Sequence, residues 1–210
     1  MFTKILKISF FFILIFVNSC GLKKSWDESG VYTADKSLPS TYIWKKGKQY
    51  IAIVETIPVT GRNKKKTIHP INISENTISN SFSKLNYRVL EKGNKQGKLK
   101  SVFSKGNIEL LSAKIPEALR KSNKNQDILF EVFQLRKKFW FLPTTIDTTA
   151  GYLFIEPGRI NVIFEKINED YQGYDYDEPR FIIGDSSNGI YGGKNKVSKG
   201  WVVLTSKSWN

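Results

Sequence analysis

The sequence predicts an α+β fold, a single compact domain in which antiparallel β-hairpins form a sheet covered by about two helices. Three observations favour this fold. Segments rich in Ile, Val and aromatic residues occur in pairs around short polar turns, which indicates hairpins. Two stretches repeat apolar residues every three or four positions, which indicates helices. Predicted strands precede, separate and follow these helices, as in α+β domains.

Strands are predicted wherever such apolar segments flank a turn. The first hairpin joins 41–44 to 49–56 through the turn "KKGK", and a second joins 86–91 to 99–104. The Pro157-Gly158 pair is a strong signal for the tight turn of a third hairpin. The strands of this hairpin and the remaining predicted strands are 127–134, 150–156, 159–166 and 201–206.

Two helices are predicted from the spacing of apolar residues. Ser74 is a typical N-cap, and three apolar residues follow it at helical spacing. The second helix spans 107–121, with basic residues in its last turn, where cations suit the helix dipole. Pro116 either kinks this helix or lies in the first turn of a regular part that starts near Ser112.

The N-terminus has the organisation of a secretory signal peptide. Residues 1–7 carry two lysines and no acidic residue, and 8–17 form an apolar run of about ten residues. That length suits the apolar region of a signal peptide, which spans roughly 7–15 residues. A transmembrane helix needs about 20 apolar residues, so a spanning helix is not expected here. We therefore predict a signal peptide over 1–19.

The apolar run ends in Val17-Asn18-Ser19-Cys20, which holds the only cysteine of the chain. This stretch resembles the lipobox of bacterial lipoprotein precursors, in which an aliphatic residue and two small residues precede an invariant cysteine. Val17 and the polar Asn18 depart mildly from its commonest form. The resemblance implies cleavage between Ser19 and Cys20, and attachment of a diacylglyceryl group and usually a further acyl chain, such as palmitate, at Cys20. The alternative is an ordinary signal peptide with an incidental free thiol.

A lipidated Cys20 implies a place in the bacterial cell envelope, lipid-anchored and facing the periplasm. Two or three acyl chains anchor a protein stably, whereas one chain alone binds marginally. Gly21 stands where an aspartate would retain an enterobacterial lipoprotein at the inner membrane, so the resemblance favours the outer membrane. Residues 20–40 then form the lipidated cysteine and a flexible polar tether, and 41–210 form the α+β domain.

A stretch within the domain, roughly 115–164, also resembles bacterial lipoproteins of uncharacterised function. It runs from "IPEAL" through "QDILFEV" to "TTAGYLFIEPGRINVIF", in which a helix precedes a strand and a hairpin. This resemblance supports the localisation and implies no activity.

The chain is strongly basic, with 33 lysines and arginines, 19 acidic residues and a net charge of +14. Removal of 1–19 takes away two lysines and no acidic residue, which leaves +12. Six of the basic residues are arginine, and this lysine excess fits either the codon bias of an AT-rich genome or selection for anion binding. Export argues against nucleic acid as a partner and favours anionic lipid, lipopolysaccharide or a cell-wall polymer.

Basic residues recur at the predicted turns and provide the candidate anion-binding residues. These turns either converge on one end of the domain, where they would form a binding face, or scatter as ordinary solvated hairpin tips. The candidates are Lys45, Lys46, Lys64, Lys65, Lys66, Arg136, Lys137 and Lys138.

No catalytic residue is predicted. His69 is the only histidine, and no G-x-S-x-G elbow would present a serine to it, so we expect a loop residue or a packed side chain. Ser81 and Lys84 match the S-x-x-K element of penicillin-binding proteins, but the companion S-D-N and K-T-G motifs are missing from the sequence. A solvated helix face is therefore the favoured interpretation of this pair.

Acidic residues concentrate in the segment 169–178, "EDYQGYDYDE", within an otherwise basic chain. Oxygen ligands around a glycine suit calcium, and Asp175, Asp177 and Glu178 are the candidate metal ligands, although EF-hand spacing is missing. The simplest interpretation is a solvated loop, and we expect no cofactor beyond the covalent lipid. The Gly- and Ser-rich segment that follows, 182–196, is expected to be a flexible surface loop.

These observations favour a non-catalytic binding or assembly role in the envelope, with anionic components as candidate ligands. One alternative is a hydrolase of glycan or lipid that uses carboxylates of the segment 169–178. Another is a scaffold for an envelope protein partner, which an exposed apolar patch on the domain would indicate.

Overall fold

The computed structural model describes the chain over 41–56, 66–91, 95–136, 144–171, 180–192 and 200–209. The predicted signal peptide, the lipobox with Cys20 and the tether lie outside these residues. The described part confirms the predicted α+β fold, because it is mostly antiparallel sheet and contains two helices.

The described strands, numbered in chain order, are β1 (Thr41–Lys46), β2 (Gln49–Glu55), β3 (Asn86–Glu91), β4 (Lys95–Gln96), β5 (Lys100–Ser101), β6 (Gln126–Arg136), β7 (Thr145–Glu156), β8 (Arg159–Asp170), β9 (Arg180–Ile182), β10 (Ile190–Gly192) and β11 (Trp201–Thr205). A seven-stranded antiparallel sheet has the order β1-β2-β6-β7-β8-β11-β10. In a smaller sheet, β3 pairs with β9 and with the short strands β4 and β5.

The first and third predicted hairpins are present, and two strands are longer than expected. The second hairpin is only partly as predicted: of its second strand, 99–104, only Lys100–Ser101 pairs with β3, and Ser104 caps the following helix. β7 and β8 meet at the predicted Pro157-Gly158 turn, where Gly158 has a φ of 68° that suits glycine. The two strands extend to Thr145 and Asp170, beyond the predicted limits at 150 and 166. The pattern of apolar residues missed these ends because their residues are polar and yet mostly buried.

The Gly- and Ser-rich segment is not the flexible loop expected over 182–196, as far as the structure describes it. β10 pairs with β11, and a bridge joins Asp185 to Ile190. The Asp185 carboxylate accepts the backbone N–H groups of Ser187 and Asn188 at 3.1 and 3.2 Å. Hydrogen bonds from the Ser187 hydroxyl, the Asn188 side-chain amide and the Asn188 backbone lower the pKa of Asp185 below its ordinary value.

The first helix, α1 (Glu75–Ser83), begins where the sequence predicts. The Oγ atom of the N-cap Ser74 accepts the N–H of Thr77 at 3.1 Å. Ile78 and Phe82, two members of the predicted apolar stripe, are buried in the core.

The second helix, α2 (Lys105–Lys121), begins two residues before its predicted start. Ser104 caps it by accepting the N–H of Asn107 at 3.3 Å, a signal that the apolar spacing did not include. Pro116 lies inside this helix, so the alternative of a regular part starting near Ser112 is wrong.

The helices cover one face of the seven-stranded sheet, which we call the inner face. Phe82 of α1 stacks on Phe103 with ring centroids 5.1 Å apart, and Phe103 contacts Phe130 and Phe164 of the sheet at 6.0 Å. Gly151 lies opposite Phe164, at a close approach of β7 and β8 where a Cβ atom would come within 2.4 Å of a backbone oxygen. The core therefore lies between this face and the helices.

The other side of the sheet, which we call the outer face, carries the alternate residues of the same strands. A row of cross-strand partners on it runs from β2 to β11, and each member is at most 7% exposed. The row consists of Ala52, Leu129, Tyr152, Ile163 and Trp201. Toward the β1–β2 turn the outer face becomes polar and aromatic, and the candidate site lies there.

Candidate functional site

The basic candidates that the structure describes do not form one face. Lys45 and Lys46 are exposed beside the β1–β2 turn. Lys66 is exposed at the opposite end of the sheet, since the nearby Ile68 N–H bonds the carbonyl oxygen of Ile155 at 3.1 Å, close to the β7–β8 turn. The candidates outside the described residues are Lys64, Lys65, Lys137 and Lys138.

Arg136 faces the inner side of the sheet and contacts two carboxylates. Its Nη2 atom lies 3.0 Å from Oδ1 of Asp147 and 3.8 Å from Oδ2 of Asp170. The two aspartates are direct cross-strand partners on β7 and β8. Arg136 therefore neutralises acidic side chains of the fold, and an anionic ligand would have to compete with them.

A groove of about 480 Å³ opens on the outer face beside the β1–β2 turn. At its base Tyr50 of β2 pairs with Glu131 of β6, and Glu131 pairs with Ala150 of β7. Ala150 pairs in turn with Lys166 of β8, so a small side chain separates the two charged ones. We call this site the lysine–tyrosine groove, and its lining residues are Tyr42, Lys45, Gly47, Lys48, Tyr50, Glu131, Lys166 and Tyr171.

Lysine and tyrosine side chains contact each other along the rim of the groove. Lys45 Nζ lies 4.5 Å from the centre of the Tyr42 ring, and Lys48 Nζ lies 4.7 Å from the centre of the Tyr171 ring. Lys48 also donates a hydrogen bond to the Tyr171 hydroxyl. The rings of Tyr42 and Tyr50 meet edge to face, with centroids 5.8 Å apart. Cation–π contacts of this kind hold ammonium groups in place without cancelling their charge.

The one carboxylate of the groove is bonded to a neutral tyrosine. Tyr50 shares a side-chain hydrogen bond with Glu131, and burial, followed by the charges of Glu131 and Glu165, raises the pKa of Tyr50 above its ordinary value. The Tyr50 hydroxyl therefore donates to Glu131 over the whole physiological pH range. Within the described part of the chain, no ion pair joins any of the three groove lysines to a carboxylate.

This arrangement suits binding of an anionic group. The ammonium groups attract phosphate or carboxylate, and the tyrosine rings offer apolar faces with polar tips. A second depression, of about 540 Å³, lies beside β10 and β11, and Arg159 is the one cation among its described lining residues. The lysine–tyrosine groove is therefore the stronger candidate.

His69 is packed, which is one of its two predicted alternatives. Its Nδ1 atom lies 3.0 Å from the carbonyl oxygen of Gln126 and 3.2 Å from Oγ of Ser122. Its Nε2 atom accepts the N–H of Ile155 at 3.0 Å, which assigns the ring proton to Nδ1. The ring thus joins the ends of β6 and β7, and both nitrogens are engaged in that role.

Ser81 and Lys84 hold the last described turn of the chain. Ser81 Oγ lies 3.2 Å from Oγ of Ser208, and Lys84 Nζ donates to the Ser208 carbonyl oxygen at 3.2 Å. Ser81 is fully buried, so the expectation of a solvated helix face is wrong for this residue. The match to S-x-x-K marks a contact between α1 and the 3₁₀ turn Ser206–Ser208.

Only the first three residues of the acidic segment 169–178 are described. Glu169 and Asp170 are the last residues of β8, so the expected solvated loop does not include them. The candidate calcium ligands Asp175, Asp177 and Glu178 lie outside the described residues. Among the residues that are described, no three His, Cys, Asp or Glu side chains are grouped as metal ligands.

Sequence reasoning found the β1–β2 turn but missed most of the groove. Lys45 is a predicted candidate that lines it, whereas Lys48, Tyr42 and Tyr50 were available signals in the same hairpin. Glu131 and Lys166 enter the site through the register of strands that are distant in the sequence, which no local pattern specifies.

Comparisons with family models, curated proteins and solved structures gave no match to this chain. In the described part of the chain, neither helix is long and apolar enough to cross a membrane.

Proposed function

We propose that the chain is a lipid-anchored protein of the bacterial cell envelope with a non-catalytic binding role, and that the lysine–tyrosine groove binds an anionic envelope component. The lipobox-like stretch Val17-Asn18-Ser19-Cys20 supports the anchor. One observation carries the binding role: three lysines surround a groove whose single carboxylate is bonded to Tyr50.

The groove favours an anion because its charges are unbalanced. Lys45, Lys48 and Lys166 are exposed and contribute three positive charges, against two negative charges, one from Glu131 in the groove and one from the nearby Glu165. The net charge of +12 that remains after removal of 1–19 adds a long-range attraction to anionic surfaces. Because the ammonium groups are exposed, salt should screen this attraction over a distance of about 8 Å at physiological ionic strength.

Co-sedimentation tests the binding role. All described contacts lie within 41–209, so a chain that begins at Gly21 keeps the described core. This chain would be mixed with anionic vesicles, zwitterionic vesicles and cell-wall sacculi at low and at high salt. We expect binding to an anionic surface at low salt and its loss at high salt.

Substitution of the groove lysines locates the site. Lys45→Gln/Lys48→Gln should weaken binding about tenfold or more, because each basic residue near an anionic surface contributes on the order of 1 kcal/mol. Lys66→Gln/Lys207→Gln is the matched control, since it also removes two exposed lysines, both at the opposite end of the sheet. Equal losses in both variants, or full binding by both, would contradict the groove as the binding site.

Mass spectrometry of the protein extracted from bacterial membranes tests the anchor. We expect an N-terminal peptide that begins at Cys20 and carries the mass of a diacylglyceryl group. Cys20→Ser should abolish both the cleavage before residue 20 and the added mass. An N-terminus at another residue, or an unmodified cysteine in the processed protein, would show that the anchor is wrong.

A further inference from the structure

Two apolar side chains project from the outer face beyond the groove. Leu135 is 75% exposed and Ile146 is 37% exposed, and they are direct cross-strand partners on β6 and β7. The carbonyl oxygen of Ile146 accepts the N–H of Tyr171 at 2.8 Å, which places a groove residue beside this pair. Solvated positions of antiparallel sheets are normally polar. The apolar pair is therefore a separate feature from the groove lysines.

The outward-facing side chains of β6 change from charged to aromatic to aliphatic toward this end of the strand. Glu131 belongs to the base of the groove, Phe133 lies two residues further, and Leu135 two residues beyond that. Each step is about 7 Å, since an antiparallel strand rises about 3.4 Å per residue. The rings of Phe133 and Tyr171 are in contact, with centroids 5.2 Å apart. Lysines, aromatic rings and aliphatic side chains thus follow one another along the face.

We propose that this end of the outer face docks on the surface of an anionic phospholipid bilayer. Leu135 and Ile146 enter the boundary between headgroups and acyl chains, the tyrosine rings lie at the level of the headgroups, and the groove lysines bind lipid phosphates. This order is the one that membrane interfaces favour, because lysine stems lie along apolar surface while their ammonium groups remain hydrated. The inference rests on the proposed function, since the groove supplies the cations.

A bilayer can bind both the groove lysines and the apolar pair, whereas a hydrophilic polymer can bind only the lysines. The groove lysines attract the anionic groups of either ligand. Leu135 and Ile146 gain free energy only where they leave water for an apolar environment. The apolar pair therefore selects a lipid surface over a sugar or phosphate polymer.

The predicted anchor is compatible with docking at this end. Residues 21–40 separate Cys20 from Thr41, the first residue of β1, and Tyr42 already lines the groove. Twenty residues span at most about 70 Å, which allows the surface to reach the bilayer that holds the lipid. Tethering makes docking an intramolecular event, so a weak contact is sufficient.

Site-specific fluorescence tests the inference. A chain that begins at Gly21 has no cysteine, so Leu135→Cys provides one attachment point for an environment-sensitive fluorophore. With vesicles of phosphatidylglycerol and phosphatidylcholine we expect a blue shift and a several-fold rise in emission. Vesicles of phosphatidylcholine alone and cell-wall sacculi should cause little change. Leu99→Cys, at an exposed leucine between β4 and β5, is the matched control and should not respond.

Leu135→Ser/Ile146→Ser separates this inference from the proposed function. Both side chains are exposed, so the fold should tolerate the change, and we expect about tenfold weaker binding to the anionic vesicles with unchanged binding to soluble polyphosphate. A fluorophore at residue 135 that stays in water on bound vesicles would overturn bilayer docking and leave the groove proposal intact. Absence of binding to any anionic probe at low salt would overturn both.

Discussion

The same end of the large sheet carries a charged region on each face, and the two differ in how their charges are balanced. On the inner face, the side chains of Asp147 and Asp170 are 4% and 9% exposed and share Arg136. On the outer face, the lysines of the lysine–tyrosine groove are exposed and form no ion pair with a described carboxylate. We call the inner region the inner cluster, which consists of Arg136, Asp147, Asn168 and Asp170.

This difference separates a structural role from a binding role. Charges that leave water must be paired, because an unpaired buried charge costs several kcal/mol. Exposed lysines cost little and stabilise little, so their charge remains available for a ligand. We therefore expect substitutions in the inner cluster to change stability, and substitutions in the groove to change binding.

Arg136→Met should have the largest effect on stability. Removal of the guanidinium leaves two adjacent, mostly buried carboxylates without this cation, and we expect a loss of about 3 kcal/mol in the free energy of unfolding. Urea denaturation of the chain that begins at Gly21 measures this loss. Lys48→Met, which removes a cation from the groove on the other face, is the matched control and should change stability by less than about 0.5 kcal/mol.

Similar stabilities for the Arg136 and Lys48 variants would remove the distinction between the two faces. A large loss in the Lys48 variant alone would reverse it and would assign the structural role to the groove. The pair of measurements therefore tests the comparison in both directions.

Asn168→Ala should have the next largest effect. Asn168 has a φ of 50°, and its side chain donates to the carbonyl oxygens of Ser101 and Val102 at 3.3 and 3.0 Å. It also accepts the Thr149 hydroxyl at 3.1 Å and the side-chain amide of Gln134. The substitution leaves the buried polar groups around residue 168 without these hydrogen-bond partners. It also places an alanine in a left-handed conformation, which is unfavourable for a residue with a Cβ atom and no polar side chain.

We expect Asn168→Ala to lower the free energy of unfolding by about 2 to 3 kcal/mol, measured by urea denaturation. Asn168→Gly is the matched variant, because glycine adopts a positive φ without strain. The glycine variant should be roughly 1 kcal/mol more stable than the alanine variant, because it avoids the strain of the left-handed conformation. Equal losses for the two variants would assign the whole effect to the side-chain hydrogen bonds.

Much of the fold follows from local signals, and its less predictable parts are polar. The hairpin turns and the Ser74 cap are encoded within a few residues, so the sequence predicts them. The ends of β7 and β8 are missed because Asp147 and Asn168 occupy inward positions where the pattern expects apolar residues. Asp147 is paired with Arg136, and Asn168 is bonded to Gln134 and Thr149, all in other strands, which local periodicity does not reveal.

The candidate site was less predictable for the same reason. Arg136 precedes two lysines, so the run resembles a solvated basic turn, but strand alternation sends Leu135 outward and Arg136 inward. Lys166 and Glu131 become neighbours of the β1–β2 hairpin only through the registers of β2, β6, β7 and β8. The density of basic residues in the sequence therefore predicts the β1–β2 turn of the site. The other residues of the groove come together only through pairing between strands that are distant in the sequence.

The smallest expected effect compares one tyrosine from each face at alkaline pH. Burial is the main cause that raises the pKa of Tyr50 in the groove and of Tyr87 above the inner cluster. Glu131 and Glu165 raise the Tyr50 value further, whereas a hydrogen bond with Asn168 opposes the rise at Tyr87. Below about pH 10 both tyrosines keep their protons in the folded and unfolded states, so their contribution to stability is complete.

Above about pH 10 the unfolded chain loses these protons first, so stability should fall as the pH rises toward the folded-state pKa values. Urea midpoints at intervals between about pH 8 and 11 measure this decline. Tyr50→Phe should flatten the decline more than Tyr87→Phe does, because the pKa of Tyr50 is raised more strongly. An equal flattening would mean that the carboxylates near Tyr50 add nothing to the effect of burial. The Glu131 charge would then be screened by the groove lysines, and the unbalanced positive charge on the outer face would be smaller than its residues suggest.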